Sequence, residues 1–373
     1  LHSIKGGSVA DFDVVRGSAA TRVNAEGLIE DIATNIPRID YTGGTASILL
    51  EPQSTNLLPQ SEDLSTGWTV GNSSVVADSA ISPDGTLNAF KLVENTATAS
   101  HNIFFNTPNT PVTIGLTYTM SFFAKAAERT RVRNTNAAES GQDVIYDLSN
   151  GTIVSQGASI LDSSIVNYGN GWYRCIMSFV STTTIAQTNT ALVDGVNKSY
   201  LGDGVSGAYI WGFQTEALPY ATSYIPTNGV IATRLADSVT GAGDASTFNS
   251  TEGVLYFEGS ALADDGTSRI ISISDGTNSN RVFIGYWSGS NEIRVLVQVG
   301  GVSQINQSNS SYNTLNFNKI AFKYKENDFA LWINGTKVIT DASGITFPIG
   351  TLTELNFDSN GSADFYGKVK SLI

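Results

Sequence analysis

The chain has 373 residues, of which 15% are charged and 41% hydrophobic, with 36 glycines and a formal net charge of −13. That charge repels a phosphate backbone, and no run of Lys or Arg supplies a local exception, so nucleic acid is excluded as a partner. The single cysteine, Cys175, excludes an intrachain disulfide and a cysteine metal cluster, and no stretch approaches the roughly 20 apolar residues that would insert across a membrane.

At about 150 residues per domain the length calls for two cores and a connector, and the apolar content is high enough to build them. Residues 1–60 are punctuated by Pro37, Pro52 and Pro59, and only Ser47 to Leu50 reads as a strand. They are expected to form an extended connector packed on the first domain. The best helical candidate, residues 24–35, is short and interrupted by Gly27.

Residues 61–237 alternate with period two. Tyr118, Met120, Phe122 and Ala124 form an apolar row opposite Thr119, Ser121 and Lys125, which predicts a half-buried strand. Tyr173, Cys175, Met177 and Phe179 form a second row and Tyr209, Trp211 and Phe213 a third, with Gly169-Asn170-Gly171 and Gly202-Asp203-Gly204 as turns. Trp172, off its row beside a glycine turn, reads as a structural plug. His101, in Ser100-His101-Asn102, reads as an exposed loop residue.

After Asp237 a stretch through Thr247, rich in Gly, Ala, Ser and Thr, reads as a linker that opens a second domain, 238–373, in which alternation restarts. Ile293, Val295, Val297 and Val299 make one row, Ile320, Phe322 and Tyr324 another, and Phe329, Leu331 and Ile333 a third, closed by the hairpin signal Asn334-Gly335. The fold class expected is all-β, two tandem antiparallel β-sandwiches behind an extended N-terminal segment. The chain begins at Leu1 and ends inside the strand-like run 368–373, so it reads as a fragment whose second domain is C-terminally incomplete.

Three stretches carry a family resemblance. They are Ile36-Pro37-Arg38-Ile39-Asp40-Tyr41 leading to Leu49-Leu50-Glu51-Pro52-Gln53-Ser54-Thr55-Asn56-Leu57-Leu58, then Gly169-Asn170-Gly171-Trp172-Tyr173-Arg174-Cys175, then Tyr209-Ile210-Trp211-Gly212-Phe213-Gln214-Thr215-Glu216 with Thr222-Ser223-Tyr224-Ile225-Pro226-Thr227. Together they resemble a module of tail, fibre and other virion proteins of tailed bacteriophages, a jelly roll of the carbohydrate-binding type. The second half, through Asn318 to Tyr324 and Phe329 to Gly335, is similar to concanavalin A-like, laminin-G-type sandwiches. The resemblance implies a protein of the virion surface, on a tail or capsid fibre, that binds host cell-surface polysaccharide and contacts other virion proteins. Fibre proteins of this kind are homo-oligomers, commonly trimers, although no coiled-coil heptads are present. A purely structural decoration protein and a polysaccharide depolymerase are the alternatives.

Catalytic signatures are sparse. No Glu-x-Asp-x-Glu run places carboxylates on one strand face for glycoside cleavage. A lyase would draw on His2 or His101, and no Gly-x-Ser-x-Gly elbow supplies a serine nucleophile. No catalytic residue and no organic cofactor is assigned. Asp264, Asp265 and Asp275 are ordinary turn formers that could also ligate a structural Ca²⁺. Glycan contacts are sought among aromatics, because a sugar ring stacks its C–H face on an aromatic plane while its hydroxyls seek amides and charges. If the Val/Ile rows face the core, the opposite register exposes Arg281, Phe283, Trp287, Arg294 and Gln298, and Trp332 lies off its own row; Arg281, Trp287, Arg294, Gln298 and Trp332 are the candidate ligand-binding residues.

Overall fold

A computed structural model describes residues 12–105 and 110–373; His2 lies outside them. Among the described residues there are strands and turns but no helix. The first sandwich faces two six-stranded antiparallel sheets. One runs Thr152–Gln156, Asp143–Asp147, Arg131–Asn136, Thr188–Leu192, Asn102–Phe105, Trp68–Gly71, and the other Ile160–Asn167, Trp172–Val180, Thr117–Ala126, Gly207–Glu216, Leu87–Glu94, Ser73–Ile81. Tyr118, Met120, Phe122, Cys175, Met177 and Phe179 point inward from adjacent strands of the second sheet and meet Ile103, Val132, Val144 and Tyr146 of the first. The alternation read in the sequence is thus the alternation that fills this core.

The other faces of these strands are less open than half-burial predicts. Thr119 and Ser121 are fully covered, because Thr119 Oγ1 donates to Leu218 O (2.7 Å) and Ser121 Oγ accepts from Arg174 Nη2 (3.0 Å) beneath the returning segment. The row Tyr209, Trp211, Phe213 is broken at Gly212, whose φ of 64° accompanies a bulge opposite Ser121 and Phe123. Ala208, Ile210 and Phe213 therefore face the main core, whereas Trp211 and Tyr209 join Trp172, Phe123 and Tyr224 in a second cluster on the outside of the sheet. Trp172 is buried there with its indole N–H bonded to Ile81 O (2.9 Å). His101 is not an exposed loop residue. It is buried against Tyr200, and its two ring nitrogens lie 2.6 Å from Asn72 O and 3.2 Å from Tyr200 O, partners that only the folded chain assembles.

The second sandwich packs a seven-stranded sheet against a five-stranded one. The larger runs Thr336–Asp341, Phe329–Ile333, Asn318–Lys325, Glu252–Ala261, Gly367–Leu372, Ser47–Leu50, Ile39–Asp40, and the smaller Val302–Asn309, Ile293–Val299, Arg281–Tyr286, Arg269–Ser274, Glu354–Asn356. Ile293, Val295, Val297, Ile320, Phe322, Tyr324, Phe329, Leu331 and Ile333 are all buried in the core between them.

The N-terminal segment departs from the expected connector. Besides Ser47–Leu50 it holds strands Asp13–Val15, Ala20–Val23, Ile29–Ile32, Ile39–Asp40 and Ser54–Asn56. Residues 24–35 form a turn and a strand instead of a helix: Asn24 Oδ1 accepts from Glu26 N and Leu28 N, Gly27 takes φ 82°, and Ile29–Ile32 pairs back on Ala20–Val23. Ser47–Leu50 pairs with Gly367–Leu372 of the second sandwich, while Ser54–Asn56, after three intervening residues, lies along the first, with Leu57 N bonded to Thr215 O (2.8 Å). The expected linker likewise pairs, Ser238–Thr240 with Asp13–Val15 and Ala242 with Leu355.

A buried ionic cluster lies where these segments meet. Arg38 binds Glu51 (2.6 Å) and Asp237, Arg16 binds Asp237 (3.1 Å), and Arg234 approaches Glu51 (3.5 Å), with all five side chains almost wholly covered. Glu51 also accepts from Ser223 N and Ser223 Oγ (2.7 Å each). Burial alone would raise its pKa, but Arg234, Arg38 and the Ser223 hydrogen bond overcome that and hold it far below the ordinary carboxylate range.

Candidate functional site

On the five-stranded sheet the apolar row faces inward, so strict alternation turns Arg281, Phe283, Arg294, Leu296 and Gln298 outward. Register sets them side by side, with Arg281 opposite Gln298, Phe283 opposite Leu296 and Gly285 opposite Arg294. Ile270, Phe283 and Leu296 form a small apolar floor beside Trp287 and Ala363. Gly285 lies between the two aromatic positions. A Cβ there would stand 3.0 Å from Arg269 O and 3.1 Å from Ile270 Cγ1, a tight fit that the bare backbone relieves.

The polar groups gather on that floor. The Phe283 and Trp287 rings stack nearly parallel, 6° apart with centroids at 5.8 Å. The Arg294 guanidinium lies over Trp287 at 4.5 Å, and its Nε donates to Asn306 Oδ1 (2.7 Å). Arg281 lies over Phe283 at 5.5 Å and donates to Asn278 Oδ1 (2.5 Å), Gln298 Oε1 (3.2 Å) and the Ser359 hydroxyl. Burial lowers the Arg281 pKa. Gln298 Nε2 donates to Gly301 O (3.0 Å). Trp287 is half-buried and flanked by Phe283 and Arg294, so its polar surroundings, more than an open ring face, are what a ligand would meet. Among the described residues the Arg294 Nη groups have no hydrogen-bond acceptor, which leaves donors for hydroxyl or carboxylate oxygens.

Four of the five residues singled out from the sequence, Arg281, Trp287, Arg294 and Gln298, therefore share one surface. Trp332 does not: it projects from the outer side of the seven-stranded sheet, on the far side of the core, with Lys337 Nζ 5.0 Å from its ring. Asn306, Asn278 and Ser359 join the site unannounced. Asn306 depends on the bulge between Val297 and Gln298, and Ser359 comes from a loop nearly eighty residues away that reaches the sheet through Ile270 N to Ala363 O (2.9 Å) and Ser272 Oγ to Asp358 O (2.7 Å). The Gly300-Gly301 turn was the only local signal for Asn306.

The carboxylates considered as Ca²⁺ ligands serve separate turns. Asp264 accepts from Ser290 Oγ (2.6 Å) and Asn291 N, Asp265 pairs with Arg269 (2.9 Å), and Asp275 accepts from Thr277 N, Thr277 Oγ1 and Asn280 Nδ2. Among the described residues no three His, Cys, Asp or Glu side chains gather as a metal-binding group. Each of the three acids is engaged by its own set of protein donors.

No family model and no curated protein matches the sequence. Among solved structures the chain is similar to Xenopus laevis galectin-Ib, with 15% identity, 36% of this chain and 98% of that one covered, and a TM-score of 0.26. It is similar to sheep galectin-11 in a complex with glycerol, at 10% identity, 34% and 90% coverage and a TM-score of 0.25. It is also similar to domains LG4-5 of the mouse laminin alpha1 chain, at 11% identity, 90% and 92% coverage and a TM-score of 0.28. The chain is all-β, and its paired antiparallel sheets form two sandwiches.

Proposed function

We propose that this protein is a polysaccharide-binding adhesion protein of a bacteriophage surface, displayed on a tail or capsid fibre as a homo-oligomer and engaging host glycan through the outer face of its five-stranded sheet. The observation that carries the binding reading is the gathering of Trp287, Arg294, Asn306, Arg281 and Gln298 on one face, with the Arg294 Nη donors uncommitted among the described residues. Planar guanidinium and amide groups held over a buried apolar base suit retention of a sugar through its hydroxyls, which need many donors. The virion assignment rests on the sequence motifs through Arg38, Glu51 and Thr222 to Thr227. Weak single sites would be raised to useful avidity by an oligomeric fibre.

The test is binding of the intact chain to extracted host capsule or lipopolysaccharide. Arg294→Ala is expected to weaken binding about tenfold, the loss of a charge-assisted hydrogen bond, while leaving the melting temperature within a degree or two. Unaltered binding in Arg294→Ala and Trp287→Ala would count against this face.

A second reading, cleavage of the bound polysaccharide, is favoured by Asp358 at the margin of the same sheet. It is buried with its Oδ1 lacking a hydrogen-bond partner among the described residues, and burial, with Asp364 and Glu354 nearby, raises its pKa. Release of new reducing ends from host polysaccharide, abolished in Asp358→Asn, would establish it; their absence leaves the binding role alone.

A further inference from the structure

The geometry points to a separate binding slot for an acidic sugar residue on the outer face of the seven-stranded sheet, formed by Trp332, Ala321 and Tyr256 with Lys337, Lys319 and Lys323 around it. This goes beyond the glycan face proposed above, which lies on the opposite sheet.

The slot follows from register. Ala321 pairs with Tyr256 on one side and with Trp332 on the other, and Trp332 pairs in turn with Lys337. Because Ile320 and Phe322 point into the core, Ala321 points out, and so do its cross-strand partners Tyr256 and Trp332. Two inter-strand spacings place the two aromatic strands about 10 Å apart, and the residue between them carries only a methyl group. The register thus sets one aromatic side chain on either side of an alanine on the outer face, an arrangement in which a pyranose ring would lie over the methyl group. All three residues are half-exposed.

Charge decides which sugar. Lys319 and Lys323 flank Ala321 two residues either way along its strand, and Lys337 lies 5.0 Å over Trp332. Lys323 is paired with Asp328 at the hairpin, and Glu258 stands opposite Lys319 while accepting from Tyr256 Oη (3.4 Å). Among the described residues Lys319 and Lys337 have no carboxylate partner, on a chain whose net charge is −13. Cations that stay unpaired beside aromatic side chains on an otherwise acidic protein complement a hexuronate, whose ring can stack while its carboxylate meets a lysine.

The test is native affinity electrophoresis of the whole chain in gels containing polygalacturonate, dextran sulfate or neutral dextran. Retardation by polygalacturonate and not by dextran is expected, weakened at least fivefold by Trp332→Ala and by the exposed change Lys337→Gln, and unaffected by Arg294→Ala. Melting curves establish that each variant is folded. No retardation by polygalacturonate, retardation unchanged in both slot variants, or equal retardation by dextran would overturn the slot. Strong retardation by dextran sulfate that Trp332→Ala leaves intact would reduce it to charge attraction and overturn it as well. Loss of binding in Arg294→Ala alone would support the five-stranded face and reject this one.

Discussion

Glu51 shows how much a single side chain can carry when it is buried among charges. Two arginines and the Ser223 hydrogen-bond donors hold it ionised inside the protein, so replacing it by Gln leaves Arg16, Arg38 and Arg234 to share the one carboxylate of Asp237. Breaking a buried pair from one side costs about 3–5 kcal/mol, and Glu51→Gln should lower the denaturant midpoint accordingly. The cluster also gives the protein an acid limb. A carboxylate whose folded pKa lies below its unfolded value of about 4.3 stabilises fully above that value and progressively less as pH falls toward the folded one. Thermal midpoints measured from pH 7 down to pH 3 should therefore fall more steeply in the parent than in Glu51→Gln; parallel curves would deny the cluster this role. At the core, Leu331→Ala removes a fully buried side chain and should cost about 2–5 kcal/mol in the same measurement.

Among the elements, Ser47–Leu50 matters most for how the chain can be divided. It covers the edge of Gly367–Leu372, and Leu50 is buried in the second core. A chain beginning at residue 61 would uncover that edge and remove an apolar residue from the core, and an exposed strand edge recruits other chains. Such a truncation should elute as soluble aggregate in size-exclusion chromatography, whereas the full chain runs as a defined species. A well-behaved truncated chain would mean that the second sandwich is independent of the N-terminal segment.

For the whole molecule, the segment from Ser47 to Asn56 contributes one strand to the second sandwich and then a short strand, paired with Ala232–Arg234, that lies along the first, with Glu51 between them in the ionic cluster. Two cores joined in this way should melt together. Calorimetry of the full chain is expected to show one transition, and Glu51→Gln should split it into two or broaden it; two well-separated transitions in the parent would contradict the coupling. The same arrangement puts the Arg294 face and the Trp332 slot on opposite sheets of one sandwich, so a long glycan could not lie on both without wrapping an edge.

Strand periodicity was legible from residue order alone, because inside and outside alternate along an extended backbone whatever lies beyond it. Ile293, Val295 and Val297 announced both a core face and, by exclusion, the outward Arg294 and Gln298. What residue order could not convey was anything set by a partner distant in the chain. The bulge at Gly212 put Phe213 and Trp211 on opposite sides of their sheet, the carbonyls of Asn72 and Tyr200 buried His101, and Gly367–Leu372 captured a strand from the supposed connector. Trp332 and Trp287 looked equivalent in the sequence, since both were simply out of step with an apolar row. Only the pairing of strands into two separate sheets put them on different surfaces, because a period of two tells which way a side chain points within its own sheet and nothing about which sheet that is.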